Sequence, residues 1–324
     1  MKETMLSQGA YRLAMINGRV KSGEHVLVIT DYATTKLAER VASAAAALGG
    51  EVVTAVMPPR EHHGQEPPAS IAAAMREADV IFMPVSVSIT HTFAVKLALK
   101  SRARILAMSD WTDEMFMSPA LLETNFTAQA DVCRKLGRAF SAGTVFHLTS
   151  PRGTDLRFEG GGREANVMTN IPDPGELSPV PTIEVNIPPV EGTAEGTLVV
   201  DASIPYLGIG SLREPFTCRI ERGFIKDIEG GGDQVKVLQD DIASHGDQNC
   251  WNIAELGVGL NPNASMTGNM LEDEGVLNTI HIGIGTSLML GGTIKAATHY
   301  DLIMWDPTIE IDGKIVQKGL NILV

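Results

Sequence analysis

The chain has 324 residues, 44% hydrophobic and 20% charged, with 26 Lys and Arg against 39 Asp and Glu for a net charge of −13. This length exceeds what one hydrophobic core usually holds, and the composition excludes a disordered chain. The acidic balance argues against a nucleic-acid groove or an anionic membrane surface.

The first half reads as alternating strands and helices. His25–Thr30 is a short apolar run of the kind that forms a buried parallel strand. Thr34 or Thr35 caps a helix that runs through the alanine-rich segment to Leu48, and Gly49-Gly50 stops it. Glu51–Met57 supplies a second strand. Helix Ala69–Glu77, strand Val80–Val85, helix Phe93–Lys100, strand Ile105–Met108 and a helix within Ala120–Phe140 follow. Repeated strand–helix units predict an open parallel sheet over residues 1–150, a Rossmann-like α/β domain. Neither Gly-x-Gly-x-x-Gly nor Gly-x-x-x-x-Gly-Lys-Ser/Thr follows a strand, so this domain lacks a nucleotide fingerprint.

Composition shifts at Ser150-Pro-Arg-Gly153, and residues 151–324 read as a second, mostly β (α+β) domain. Asp155–Glu159 is a short strand, and Phe216–Arg222 and Phe224–Ile228 form a hairpin around Gly223. Gln234–Ala243 has the spacing of a helix, and Ile309–Val316 is a hairpin with Asp312-Gly313 at its turn. Cys133, Cys218 and Cys250 lie far apart without Cys-x-x-Cys spacing, which fits a reduced compartment better than disulfides or a thiolate zinc site. With no visible secretory signal and no apolar run of the ~20 residues a membrane helix needs, the expectation is a cytoplasmic protein with a small-molecule substrate.

The polar residues that invite attention all fall in the second domain. His299 and Asp301 are two apart in the apolar run Thr298–Trp305, so on a strand they project from one face. Glu184 lies between Ile183 and Val185, Glu255 between Ala254 and Leu256, and His281 between Ile280 and Ile282. Acids and imidazoles in such surroundings are costly to bury unless a cation or partner meets them. Together, Glu184, Glu255, His281, His299 and Asp301 make an oxygen-rich set with two nitrogen donors. It suits Zn²⁺, Mn²⁺, Co²⁺ or Fe²⁺, and in particular a pair of divalent ions per chain bridged by a carboxylate. His245-Gly-Asp247, Glu191 and Tyr300 are candidates for assisting groups, while His62-His63 falls in a proline-rich loop.

Pro181–Val185, Pro189–Asp201, Ala254–Pro262, Asn278–His281 and His299–Asp301, in that order, resemble the thermophilic metallo-aminopeptidases of the aminopeptidase T and S type. Gly23–Ile29 is similar to the start of that family. The resemblance implies two-metal ligands at Glu184, Glu255, His281, His299 and Asp301, a homo-oligomer, and hydrolysis of an amide-type bond by a metal-activated water with Glu255 as proton carrier. A second branch of the same architecture, the 2,5-dihydroxypyridine dioxygenases, is similar in length and in Ala194–Val199. That branch implies one Fe²⁺ held by two His and one Asp, and ring cleavage of a hydroxylated N-heterocycle. Its first His falls where this chain has Glu255, whereas the aminopeptidase tyrosine seven residues after the histidine is Leu288 here. The primary expectation is therefore a metallohydrolase, with the Fe²⁺ dioxygenase as its alternative.

Overall fold

The structure, a computed structural model, describes residues 2–324. It divides into two compact units: the chain up to Ala130 together with Met168–Pro181, and Asp131–Val167 together with Thr182–Val324. The architecture is α/β, with a parallel sheet and helices in the first unit and mostly antiparallel strands in the second.

In the first unit the parallel sheet runs in the order Glu51–Met57, His25–Asp31, Val80–Met83, Arg104–Ala107, Leu177–Pro179. His25–Asp31 is buried at every position but the first, as a central parallel strand requires, while the edge strand Glu51–Met57 is largely exposed. Helix Thr35–Ala47 buries Leu37, Ala38, Val41, Ala44 and Ala45, a stripe at 3.6-residue spacing. The sheet's order reverses between His25–Asp31 and Val80–Met83. At the carboxyl end of that junction Asp31 accepts hydrogen bonds from the Ser86 amide and hydroxyl at 2.6 and 2.7 Å. A carboxylate thus occupies the place where nucleotide-binding folds seat a phosphate.

The helix expected within Ala120–Phe140 is two helices, Pro119–Leu122 and Phe126–Ala142. Asn125 causes the break: its side chain accepts from the Ala128 amide and starts the second helix afresh.

The second unit holds two antiparallel sheets. The eight-stranded one contains both expected hairpins, Phe216–Glu221 with Phe224–Gly230 and Thr308–Ile311 with Lys314–Lys318. Its core includes Phe146, stacked on Phe158 at 5.0 Å and edge-on to Phe140 at 5.4 Å. The seven-stranded sheet runs Gly210–Ser211, Ser203–Ile204, His299–Trp305, Thr279–Gly285, Ile253–Gly259, Glu184–Ile187 and a last short strand starting at Asn166. Among the described residues, no helix is long and apolar enough to cross a membrane.

Candidate metal centre

The seven-stranded sheet has one oily face and one polar face. Val185, Ile187, Leu256, Val258, Ile280, Ile282, Ile284, Leu302 and Met304 are buried on the first. On the other, register places Glu184 beside Gly259, Gly257 beside His281, Glu255 beside Gly283, Gly283 beside Asp301 and Gly285 beside His299. All five expected donors therefore come from four adjacent strands on one face, because strand side chains alternate with period two.

The glycines between them make room for the rings. A Cβ at Gly257 would lie 1.9 Å from His281 Nε2, and one at Gly283 would lie 2.8 Å from both His299 Nε2 and the Glu255 Cβ. Each imidazole lies across a neighbouring strand at a point where no side chain stands. This glycine–donor alternation in Glu-Leu-Gly-Val-Gly and His-Ile-Gly-Ile-Gly is a signal present in the sequence.

The donors form two clusters that share Glu255: Glu184, Glu255 and His281 in one, Glu255, His299 and Asp301 in the other. His281 Nε2 lies 3.7 Å from Glu184 Oε2 and 3.7 Å from Glu255 Oε1. His299 Nε2 lies 2.9 Å from Glu255 Oε2 and 3.4 Å from Asp301 Oδ1. Glu255 thus presents one oxygen to each imidazole. The two rings approach different oxygens of Glu255, and among the described residues the clusters of mutually close donors do not include His281, His299 and Asp301 together.

Glu184, Glu255, His281 and Asp301 are buried, and the His299 side chain is 25% exposed. Burial pushes the Glu184 carboxyl up to about 7 against the pull of His281. Burial also works to raise Glu255 and Asp301, but the imidazoles overcome it, by hydrogen bonding and charge at Glu255 and chiefly by the His299 charge at Asp301, and leave both below the usual carboxylate range. Burial would lower His281, yet the surrounding carboxylates lift it to about 9, and His299 is raised well above its ordinary value in the same way. Two protonated rings serve here as counter-charges for the acids, a role that a divalent cation fills on releasing those protons.

The groups behind the donors leave one atom of each facing inward. Asn186 donates to Glu184 Oε1 at 2.8 Å, and Tyr206 donates to Asp301 Oδ2 at 2.6 Å. His299 Nδ1 sits 2.9 Å from the Thr286 carbonyl, which can only accept, so Nδ1 keeps its proton in either charge state and Nε2 is the atom that gives up its proton to take an ion. Among the described residues, Glu184 Oε2, His281 Nδ1 and Asp301 Oδ1 are buried without a hydrogen-bond partner. Two unpartnered carboxylate oxygens beside imidazole nitrogens are the donor chemistry a divalent ion needs. Tyr206 also lies 3.0 Å from Glu274 Oε1. Burial and the Asp301 charge raise Glu274 well above the carboxylate range, so it holds the proton that one phenol cannot give to two acids. Asn186, Tyr206, Glu274 and Thr286 were not evident in the sequence, since nothing in their neighbourhoods marks them.

Other candidates lie elsewhere. Tyr300 donates to Asp241 Oδ2 at 2.6 Å, and as a neighbour of Asp301 on the strand it points to the opposite face. His245 pairs with Asp241 at 3.4 Å on the same helix, and Asp247 accepts from the Asn249 and Ala297 amides. Glu191 is paired with Arg163. His63 Nδ1 accepts from the Ser88 amide in the first unit.

The family model described as NicX, 2,5-dihydroxypyridine 5,6-dioxygenase, matches residues 8–322. The 2,5-dihydroxypyridine 5,6-dioxygenase of Pseudomonas putida is 29% identical over 181 residues, 52% of this chain and 51% of that protein, so the match spans about half of the relative's length. Among solved structures, a 2,5-dihydroxypyridine dioxygenase from Pseudomonas putida KT2440 superposes with a TM-score of 0.85 at 21% identity, covering 99% of this chain and 97% of that one. AmpT from Thermus thermophilus superposes with a TM-score of 0.67 at 16% identity over the full length of both. The shared fold supports a relationship to both branches. The metallohydrolase expectation, with its aminopeptidase-like and amidohydrolase readings, is overturned by the family match over nearly the whole chain. Donor residues alone misled here, because the same carboxylates and imidazoles serve hydrolysis and oxygen chemistry alike. The chain belongs to the 2,5-dihydroxypyridine 5,6-dioxygenase family.

Proposed function

We propose that this chain is a metal-dependent dioxygenase that opens the ring of a hydroxylated N-heterocycle of the 2,5-dihydroxypyridine type. The observation that carries the reading is the cluster of Glu255, His299 and Asp301, with an unpartnered Asp301 oxygen, in a chain of this family. In this reading these three residues hold Fe²⁺, and Glu184, His281 and the second oxygen of Glu255 form a second divalent position. Bound iron supplies the redox chemistry that lets an electron-rich ring react with dioxygen.

The protein's own contribution is orientation and charge. The Thr286 carbonyl fixes the tautomer of His299, Tyr206 turns Asp301 so that Oδ1 faces inward, and Asn186 does the same for Glu184 Oε2. Glu274 keeps a proton against Tyr206, which prevents a further negative charge from collecting behind Asp301. The oily face beneath the donors excludes water from one side of the pocket. The acting partner is a small molecule, and the chain works as a homo-oligomer.

The test is anaerobic reconstitution with Fe²⁺, followed by admission of oxygen in the presence of 2,5-dihydroxypyridine. Oxygen consumption matched to loss of the ring's ultraviolet absorption is expected, together with elemental analysis giving the number of ions per chain. Absence of oxygen uptake by the iron-loaded protein would reject the reading.

A further inference from the structure

Behind Glu184 runs a chain of amides that leads out of the pocket. Asn186 Nδ2 donates to Glu184 Oε1 at 2.8 Å. Asn166 Nδ2 donates to Asn186 Oδ1 at 2.8 Å and to the Leu290 carbonyl at 3.2 Å. The direction of this chain is dictated by its ends. A backbone carbonyl can only accept, so Asn166 turns its NH₂ to Leu290 and to Asn186 Oδ1, which leaves the Asn186 NH₂ for Glu184.

Leu290 belongs to the loop that joins the His281 strand to the His299 strand. That loop is closed by Ser287 N donating to the Ile294 carbonyl at 2.9 Å and Ile294 N to Ser287 Oγ at 3.2 Å. It is tied down by Thr293 N donating to Glu191 Oε1 at 2.6 Å and Arg163 Nη1 to the Gly291 carbonyl at 2.8 Å. Its tip carries the exposed apolar residues Leu288 and Met289. The inner wall of the loop is bonded, through two amides, to a donor of the site.

We propose that Asn166 and Asn186 are positioning residues that lock the Ser287–Thr293 loop to Glu184, keeping Glu184 Oε2 turned toward His281 and passing displacement of the loop to that metal position. This inference rests on the second divalent position proposed above. Asn186 acts directly on the carboxylate and Asn166 acts through Asn186. Replacing Asn166 by aspartate sets an acceptor against two acceptors, the Leu290 carbonyl and Asn186 Oδ1. The Asn186 amide then turns over and presents its oxygen to Glu184.

The full-length protein and its Asn166→Ala, Asn166→Asp and Asn186→Leu variants are titrated with Co²⁺ alone. Calorimetry gives affinity and stoichiometry, the visible absorption of the bound ion reports coordination, and thermal melting serves as a control. The expected result is two Co²⁺ per wild-type chain. One position weakens about 10–100-fold in Asn186→Leu, several-fold in Asn166→Ala and more in Asn166→Asp, with altered absorption, while the His299 position keeps its affinity. Unchanged affinities and absorption in both Asn166 variants, with only a lower melting point, would make the amides merely structural and overturn the proposal. A wild-type chain that binds a single ion, or none, would overturn the second position and this proposal together. Asn186 is buried, so if Asn186→Leu does not fold, the half-buried Asn166 still decides.

Discussion

Alanine at Gly257 tests most directly how the site is built. Its Cβ would stand 1.9 Å from His281 Nε2, 2.2 Å from Cε1 and 2.7 Å from Cδ2. Ordinary carbon contacts begin near ~3.5 Å, so the ring must retreat by about 1.5 Å. Ligand distances tolerate only about 0.2 Å, so a displaced imidazole no longer reaches an ion shared with Glu184 and Glu255. The backbone of Gly257 is in an extended strand that any residue adopts, so the cost to folding is the overpacking, about 1–3 kcal/mol. Circular dichroism should show an intact fold, while Mn²⁺ titration by calorimetry should show at least a hundredfold loss at the His281 position. A Gly257→Ala protein that binds Mn²⁺ at both positions with wild-type affinity would refute the account of why glycine faces the ring.

Further outcomes are expected at neighbouring points. Asp301→Ala removes the oxygen opposite His299, and the purified variant should lose metal from that position and all oxygen uptake. Tyr206→Phe leaves Asp301 free to rotate and should weaken metal binding there about tenfold, measured by competition with a chromogenic chelator. In chelated protein, the His281 pKa of about 9 means that its proton stabilises the fold fully below pH 6.5, and this contribution, about 3 kcal/mol, is lost as pH rises through 9. Glu184, raised by burial, adds a loss of the same sign at lower pH, so the melting temperature of the metal-free protein should fall between pH 6.5 and 9. Melting of the loaded protein should stay flatter over that range. Phe146→Ala empties a fully buried aromatic cluster and should cost about 3–5 kcal/mol in urea unfolding.

The parallel sheet was legible because strands such as His25–Asp31 are unbroken apolar runs separated by helices with clear stops. Its fifth strand, Leu177–Pro179, was not, because three residues ending in proline carry no periodicity. The donors could be picked out because Glu184, Glu255, His281, His299 and Asp301 interrupt apolar surroundings, and period-two alternation puts each on a known face. Alternation says nothing about distance across strands, so the division into two clusters around Glu255 became visible only in the register of the sheet. Asn166 and Asn186 were hidden for another reason: asparagine is common in loops and strand ends, and only the geometry distinguishes a bonded amide chain from solvated polar residues. The chemistry was misjudged at Glu255, which stands where the dioxygenase branch carries a histidine and so weighed toward the aminopeptidase side, whereas the family match over residues 8–322 points the other way.

Because each donor sits on a strand and none on a flexible loop, the pocket exists in a single alignment of the sheet. Sliding Glu184–Ile187 by one residue against Ile253–Gly259 would present Val185 where Glu184 now stands and turn the acid into the hydrocarbon layer. Misassembled molecules are therefore blind to the ion, and the fraction of a preparation that retains it counts the chains whose strands have zipped correctly.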